Sequence, residues 1–354
     1  MIYYVATERF SSTIRGLLKG FRKELSGVIA SLTYEELFFE RAGPVGHYIF
    51  TDFDRLSRYE LECVAAFAAA LEQAAPDARI LNRPLFALER YPLLVALHRA
   101  GINDFTATRI DCGERPSRYP AFIRTEDGYG GPETDLLHND IEFDAAVEDL
   151  TARGRPRRGR IAVGYAGELG ADGFFRKYGA FNIAGRILPH HLQRNRGWVV
   201  KKDMTDSEWA VVRDRADRLT TSAVDEEVAF VRDNPHQEVL ARAFFIAGIE
   251  FGRVDYGIVN GRVQIYEINT NPSLPGTAKI DSRDGVRVFT RPRIVEAFRA
   301  VDAPIASSGR VRFTERRPRA HCVRLPYRRM PASLARRAMD LLRHRVNSIA
   351  VNHD

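Results

Sequence analysis

The feature that most constrains the fold is a pair of β-prone runs in the last third of the chain. The runs FGRVDYGIV (251–259) and RVQIYEINT (262–270) are separated only by Asn260 and Gly261. An Asn-Gly pair between two such runs is a strong signal for a tight hairpin, because both positions tolerate a positive φ. The sequence therefore predicts an antiparallel strand pair here.

Polar side chains gather on this hairpin. Glu267 and Asn269 are two residues apart, so both project from one face of an extended strand. A polar turn at the end of a strand is the simpler interpretation. However, with Asp255 on the preceding strand there are three oxygen donors, which suit Mg²⁺ holding a triphosphate. Arg253 would share the face of Asp255 and supply a cation.

The register of the hairpin decides whether these oxygens meet. With a plain two-residue turn, Val259 pairs with Arg262 and Asp255 lies opposite Tyr266. Asp255 would then face away from Glu267. Shared coordination requires a three-residue loop or a β-bulge that shifts the pairing by one residue, and we predict such a shift.

Composition places the chain among ordinary globular proteins. Its 354 residues allow two or three packed layers, and 45% apolar with 28% charged residues is typical of that class. The amino terminus predicts no secretion signal, and the most apolar helical run, 63–75, is too short to span a bilayer. Cys63, Cys112 and Cys322 lack metal-ligand spacing, which predicts unpaired thiols in a reducing cytoplasm.

The net charge of +7 is unevenly distributed. Residues 310–354 contain twelve Arg and three acidic residues, a net charge of +9. Such a tail could contact nucleic acid or an acidic partner. Few aromatics interleave its arginines, so solvation or packing on the body is favoured and a nucleic-acid partner is not expected. A helix predicted over 333–346 has an apolar face, which favours docking.

Strand-like and helical runs alternate along the first part of the chain, which predicts an α/β (α+β) fold. The predicted strands are 2–6, 47–51, 79–81, 106–110, 120–124, 161–165 and 174–187. The predicted helices are 57–75, 84–100, 141–152, 205–219 and 234–248.

Two further polar pairs have simpler interpretations than a site. Asp52 and Asp54 share the face of a strand end, but with no third ligand in view they predict a solvated loop. His190 and His191 are adjacent and so face opposite ways on a strand. They predict a polar strand end.

The stretch GRVDYGIVNGRVQIYEINTNP resembles the carboxy-terminal signature of the ATP-grasp superfamily. That superfamily includes D-alanine–D-alanine ligase, glutathione synthetase and the ribosomal-protein glutamate ligases. The resemblance implies that Asp255, Glu267 and Asn269 are magnesium ligands. It also implies that Arg253 lies near the reacting carboxylate.

The rest of the resemblance concerns the nucleotide. The run 80–102 looks like the connector helix of the superfamily, with Arg90 at a usual Lys position, and 119–124 looks like the lid strand, with Arg124 at another. A glycine loop follows the lid strand, and 161–168 stands in the place of the hinge that meets adenine. Of Arg176 and Lys177, at most one is expected to reach the nucleotide. The implied nucleotide-binding residues are Arg90, Arg124, Gly128, Gly130, Gly131, Val163, Gly164, Tyr165, Lys177 and Lys201.

The resemblance implies a domain plan. An amino-terminal α/β pre-ATP-grasp domain is expected over 1–82 and an ATP-grasp domain over 83–300. The latter would comprise a mobile lid, 104–165, and a carboxy-terminal ATP-binding sheet, 166–300. The basic tail, 301–354, has no counterpart.

The implied function is an ADP-forming carboxylate–amine ligase that works through an acyl phosphate. ATP and Mg²⁺ are the implied cofactors, with two ions expected and Mn²⁺ as an alternative. The expected partners are small-molecule or peptide carboxylates and amines, without a membrane, and a homodimer stays open. An ATP-grasp phosphotransferase and a nucleotide-binding protein without catalysis remain as alternatives.

Overall fold

A computed structural model describes residues 1–127, 130–200, 217–275 and 284–313. Gly128, Lys201, most of the helix predicted at 205–219 and the helix predicted at 333–346 lie outside these residues. Over the described ranges, no helix combines the length and the apolar character needed to cross a membrane.

The amino-terminal part forms a parallel sheet, called here the first sheet. Its strand order is β2-β1-β4-β5, and each neighbouring pair is parallel. The elements are β1 (Ile2–Ala6), α1 (Ser12–Gly20), α2 (Arg22–Leu25), β2 (Ile29–Thr33), α3 (Tyr34–Glu40), β3 (Ala42–Pro44), β4 (His47–Phe50), α4 (Arg58–Ala74) and β5 (Ile80–Leu81).

Capping boxes begin two of these helices. The Thr33 hydroxyl accepts the backbone N–H of Glu36, whose carboxylate accepts the N–H of Thr33, and α3 starts directly after β2. Ser57 and Glu60 form the same arrangement at α4. Each box satisfies two backbone donors at a helix start, so the sequence itself sets these turns from strand to helix.

The middle of the chain forms a three-stranded antiparallel sheet, the second sheet, in the order β6-β8-β7. Apolar residues of α6 cover one of its faces, in a core that includes Ile123, Phe143 and Ala162. The elements are α5 (Arg90–Arg99), β6 (Ala107–Arg109), β7 (Ala121–Thr125), α6 (Asp140–Ala152) and β8 (Arg160–Gly164).

A four-stranded antiparallel sheet, the third sheet, follows in the order β10-β9-β11-β12. Its elements are β9 (Phe175–Ile183), β10 (Arg186–Asn195), α7 (Asp217–Asp233), α8 (Gln237–Ala247), β11 (Phe251–Val259) and β12 (Arg262–Asn269). The chain then forms α9 (Asp284–Val301) and β13 (Arg310–Arg312), and β13 pairs with β3.

One buried core joins the first sheet to the third. Tyr4 of β1 packs edge-on against Phe251 of β11, with ring centroids 5.4 Å apart, and Phe251 packs against Phe298 of α9 at 6.1 Å. All three side chains are fully buried. Burying each contributes on the order of 1.5–3 kcal/mol, so this core ties the two sheets together.

The α/β prediction is confirmed, with local differences. The predicted strand 174–187 is a hairpin, because Ala184 and Gly185 turn the chain with φ of 51° and 87°. The histidine pair is not at a strand end. His190 and His191 lie inside β10, where the pairing shifts between Pro189 and His191. The domain limits stay predictions.

Candidate active site

The turn of the β11–β12 hairpin follows the Asn-Gly signal. Asn260 and Gly261 have φ of 49° and 74°, and Val259 pairs with Arg262 across the turn. Two residues with positive φ are what a tight turn between right-twisted strands requires. The loop therefore has two residues, and the register shift lies elsewhere.

A β-bulge supplies the predicted shift. Tyr256 pairs with Ile265, whereas the next pair is Asp255 with Glu267, so Tyr266 is the extra residue. The bulge moves every later side chain of β12 to the other face. The prediction that the register shifts is confirmed, and Asp255 and Glu267 occupy one row of the sheet.

Tyr266 explains how the bulge is held. Its hydroxyl donates to the carbonyl of Ala166 at 2.8 Å. A Cβ on Gly257 would lie 2.1 Å from that hydroxyl oxygen, so the tyrosine crosses a position that only glycine leaves open. Gly257, a glycine inside a predicted strand, was an available signal for a bulge that the sequence analysis did not use, and the partner of Tyr266 could not be derived from the pattern.

Asp255 is buried among cations of its own sheet. Its carboxylate accepts from Nε of Arg253 at 2.9 Å and lies 3.2 Å from Nζ of Lys177. Burial alone would raise the pKa of Asp255, but the two cations outweigh it and hold the pKa below its ordinary value. Asp255 is therefore a fixed anion at the floor of the site.

Glu267 meets cations from other parts of the chain. Arg90, the first residue of α5, donates to Oε2 of Glu267 at 2.9 Å, and Arg124 of β7 lies 3.9 Å from the same oxygen. Arg124 also donates to the carbonyl of Gly130 at 3.1 Å. Burial first, and then the neighbouring Arg90, lower the pKa of Arg124 to about 10. Arg124 therefore remains charged at neutral pH.

Asn269 completes the row of oxygen donors. It pairs with Arg253 across the ladder, two residues from the Asp255–Glu267 pair, so these side chains share a face. Its side-chain oxygen accepts the backbone N–H of Asn271 at 2.9 Å. Two carboxylates and a carboxamide, with no sulfur or imidazole, fit a hard cation such as Mg²⁺.

The predicted residues converge on one cavity of about 490 Å³. The second sheet, the third sheet and the start of α5 enclose it. It is lined by every predicted site residue that the structure describes: Arg90, Arg124, Gly130, Gly131, Val163, Gly164, Tyr165, Lys177, Arg253, Asp255, Glu267 and Asn269. Gly128 and Lys201 lie outside the described residues. The roles of these residues stay predictions.

An aromatic cluster at the cavity was not predicted. The ring of Trp198 lies 5.3 Å from that of Phe122 and 5.5 Å from that of Tyr165, and all three line the cavity. Flat aromatic faces of this kind stack on bases. Trp198 is one of only two tryptophans in the chain, which was the available signal.

Arg176 and Lys177 are both bound to carboxylates at the cavity. Nε of Arg176 donates to Glu226 at 2.9 Å and its NH2 group donates to Asp172 at 2.7 Å. Lys177 instead lies beside Asp255. Lys177 is therefore the one of the two that adjoins the candidate metal ligands.

The prediction of a solvated loop at Asp52 is wrong. Asp52 is fully buried with a φ of 60°, and its carboxylate accepts the backbone N–H and the hydroxyl of Thr7, both at 2.9 Å. Asp54 lines the cavity with its side chain 33% exposed. Among the described residues, no group of three or more His, Cys, Asp or Glu could hold a metal.

Comparison with known proteins gives structural similarity only. No protein-family model matches the chain, and the search of curated proteins found no match. The D-alanine–D-alanine ligase from Bacillus anthracis complexed with ATP is 9% identical, with a TM-score of 0.45 over 85% of this chain and 95% of that one. The chain is similar to ATP-grasp ligases.

Two more solved structures extend this similarity. The ATP-grasp ligase PsnB, complexed with a phosphomimetic variant of minimal precursor, Mg and ADP, is 11% identical with a TM-score of 0.47, over 85% of this chain and 97% of that one. An L-amino acid ligase from Bacillus licheniformis is 10% identical with a TM-score of 0.39, over 84% and 73%. Because these three TM-scores are below 0.5, the functional argument rests on the geometry of the cavity.

Proposed function

We propose that the protein is an ADP-forming ligase that joins a carboxylate to an amine through an acyl phosphate. The observation that carries the proposal is the bulged pairing of Asp255 with Glu267. It puts both carboxylates and Asn269 on one face at the wall of a single cavity. A plain hairpin would have separated them.

The charges of the cavity suit a metal-bound triphosphate. Four cationic side chains surround the two carboxylates, and each carboxylate contacts two of them: Lys177 and Arg253 at Asp255, Arg90 and Arg124 at Glu267. Cations placed this way would be available to phosphate oxygens when the carboxylates hold Mg²⁺. Asp255, Glu267 and Asn269 would hold the metal.

The first step is phosphoryl transfer. An oxygen of the substrate carboxylate attacks the γ-phosphorus of ATP, the bond from that phosphorus to the β,γ-bridging oxygen breaks, and ADP departs. Bound Mg²⁺ supplies charge neutralisation at the phosphate oxygens. Arg90, Arg124 and Lys177 orient the phosphates, and the aromatic cluster around Trp198 offers a face for the base.

The second step forms the amide. A neutral amine attacks the acyl carbon, the tetrahedral intermediate loses a proton from nitrogen, and inorganic phosphate departs. Arg253 stabilises the developing oxyanion. β7 and β8 of the second sheet form one wall of the cavity, and their closure as a lid would keep water from the acyl phosphate.

An ADP-release screen over pairs of amino acids and short peptides tests the proposal, and a separate reaction in which hydroxylamine replaces the amine traps an acyl phosphate as a hydroxamate. ADP release that requires both a carboxylate and an amine, together with a new amide by mass spectrometry, is the expected result. ADP release with a phosphorylated product and no amide would favour a phosphotransferase. ATP binding that survives Glu267→Ala, with no turnover of any pair, would favour a non-catalytic protein.

A further inference from the structure

Asn271 is a buried amide that joins the third sheet to the first. It is 5% exposed, and its side-chain oxygen accepts the hydroxyls of Tyr4 and Thr13, both at 2.8 Å. Its amide nitrogen donates to Oδ1 of Asp52 at 2.9 Å and to the carbonyl of Phe10 at 3.3 Å. All four hydrogen-bonding positions of the amide are thus used, and each partner belongs to the amino-terminal part of the chain.

The backbone of the same residue reaches the candidate metal site. The N–H of Asn271 donates to the side-chain oxygen of Asn269 at 2.9 Å. This contact leaves one lone pair of that oxygen for a metal and fixes the rotamer of Asn269. One residue therefore links the buried edge of the first sheet to an oxygen of the cavity.

Asp52, which accepts a hydrogen bond from the amide of Asn271, is itself held by several contacts. Besides Asn271 and Thr7, the carboxylate of Asp52 contacts the guanidinium of Arg55 in an ion pair. Asp52 lies two residues after the last residue of β4, Phe50, and has a left-handed backbone. The link is therefore anchored in the carboxyl end of a parallel strand, the edge at which α/β sheets bind ligands.

Only an amide of this size satisfies these partners. Aspartate has no donor for the Asp52 carboxylate and would set two carboxylates side by side, and leucine would remove the acceptor of the Tyr4 hydroxyl. Substitution of Asn271 is therefore expected to cost stability, although its side chain has no hydrogen-bonding position left to bind substrate. That combination is expected of a residue that positions its neighbours.

We propose that Asn271 is a positioning residue that aims the side-chain oxygen of Asn269 at the metal and holds the third sheet at a fixed distance from the strand ends of the first. The inference rests on the proposed function, because Asn269 matters here as a ligand for Mg²⁺. It assigns the contacts between the two sheets a role in metal affinity as well as in stability.

Asn82 provides a matched control. It is fully buried, its amide nitrogen donates to the carbonyls of Phe50 (2.9 Å) and Phe251 (2.7 Å), and its oxygen accepts the N–H groups of Glu250 and Phe251. It joins the same two sheets with the same number of hydrogen bonds. It has no contact with Asn269, so its loss costs stability without disturbing that ligand.

The experiment measures the affinity for Mn²⁺ in the presence of AMPPNP by electron paramagnetic resonance, together with the melting temperature, for wild type, Asn271→Asp and Asn82→Asp. We expect both variants to melt at lower temperature. Only Asn271→Asp should weaken Mn²⁺ binding, by about 10–100-fold, the range seen when a partner that orients a metal ligand is removed. AMPPNP affinity in EDTA should stay within about threefold of wild type in both, as uniform binding away from the metal predicts.

Four outcomes would overturn the inference or the proposed function on which it rests. Equal Mn²⁺ affinity in all three proteins, or equal weakening in both variants, would reduce Asn271 to a structural role. If wild type binds no Mn²⁺ with AMPPNP, the proposed function itself fails. If Asn271→Asp does not fold, a second variant, Thr13→Val, removes one of the two hydroxyls that donate to the side-chain oxygen of Asn271. That variant should weaken Mn²⁺ binding by about 3–10-fold, one lost hydrogen bond, and unchanged affinity would again contradict the inference.

Discussion

Asp255 and Glu267 are paired across β11 and β12, but the cations that neutralise the two carboxylates come from different parts of the chain. Asp255 has a side chain 5% exposed, and its cations, Lys177 and Arg253, belong to the same sheet. Hydrogen-bonded strands fix the separation of these groups. The Asp255 end of the site is therefore formed as soon as the third sheet folds.

Glu267 differs on each count. Its side chain is 31% exposed, and its cations are Arg90 of α5 and Arg124 of the second sheet. This end of the site forms only when three parts of the chain come together. We therefore expect substitution of Asp255 to lower the free energy of unfolding, whereas substitution of Glu267 should mainly alter the response to nucleotide.

The largest expected effect separates stability from catalysis. Asp255→Asn and Glu267→Gln should each lower ADP formation by at least about 10²-fold, because each removes a carboxylate that would hold the metal against the phosphates. Asp255→Asn should also cost about 3–5 kcal/mol of unfolding free energy, since Asp255 is the buried carboxylate that Lys177 and Arg253, each 16% exposed, contact. Glu267→Gln should cost about 0–1 kcal/mol, because Glu267 is 31% exposed and its two arginines keep their hydrogen bonds to backbone carbonyls. Urea unfolding measures both, and equal losses of stability would break the comparison.

The same pair predicts a dependence on pH. The folded-state pKa of Asp255 lies below its ordinary value of 3.8, so the folded protein binds fewer protons than the unfolded chain just below that pH. The contribution of this carboxylate is fully present above 3.8 and is lost as the pH falls through the folded-state pKa. In EDTA, the stability gap between wild type and Asp255→Asn should therefore narrow as the pH is lowered from about 6 to about 2. A gap that stays constant over this range would contradict the assignment.

A glycine tests the rigidity of the Asp255 end. Gly179 pairs with both Asp255 and His191, and a Cβ at Gly179 would lie 2.3 Å from the imidazole Cε1 of His191. Gly179→Ala must displace that ring and should cost about 1–3 kcal/mol of unfolding free energy. The control is Gly16→Ala in α1, where a Cβ meets no atom within 4 Å and should stabilise by about 0.5–1 kcal/mol. Similar stabilities for the two variants would show that the residues paired with Asp255 can shift at little cost, which would contradict the rigidity of this end of the site.

The sequence predicts the site where contacts are local and fails where they are distant. The strand alternation, the Asn-Gly turn and the incompatible faces of Asp255 and Glu267 together demanded a register shift. All of these lie within about twenty residues. The burial of Asp52 could not be foreseen, because its partner Asn271 is 219 residues away, and a polar strand end usually predicts a solvated loop.

The same reason explains the cations of Glu267. A resemblance to known ligases suggested Arg90 and Arg124, but residue spacing alone contains no information on contacts across 177 residues. Trp198 was missed because it lies in a loop without periodicity, where no face can be assigned. Counting along a strand was enough to assign its residues to a face, whereas contacts between residues of separate sheets could not be derived from the sequence.

The smallest expected effect distinguishes the arginines of the two ends. Arg124→Lys keeps the charge near Glu267 but loses the planar fork, so AMPPNP affinity should fall by about 3–10-fold with little change in stability. Arg253→Lys loses the guanidinium that holds the buried Asp255 with both Nε and NH2, so it should cost about 1 kcal/mol of stability and change AMPPNP affinity less. Trp198 lines the cavity, so its fluorescence in a Trp209→Phe background reports the binding. If Arg253→Lys weakens AMPPNP more than Arg124→Lys does, both ends of the site respond to nucleotide, and the distinction between a preformed end and an assembled end fails.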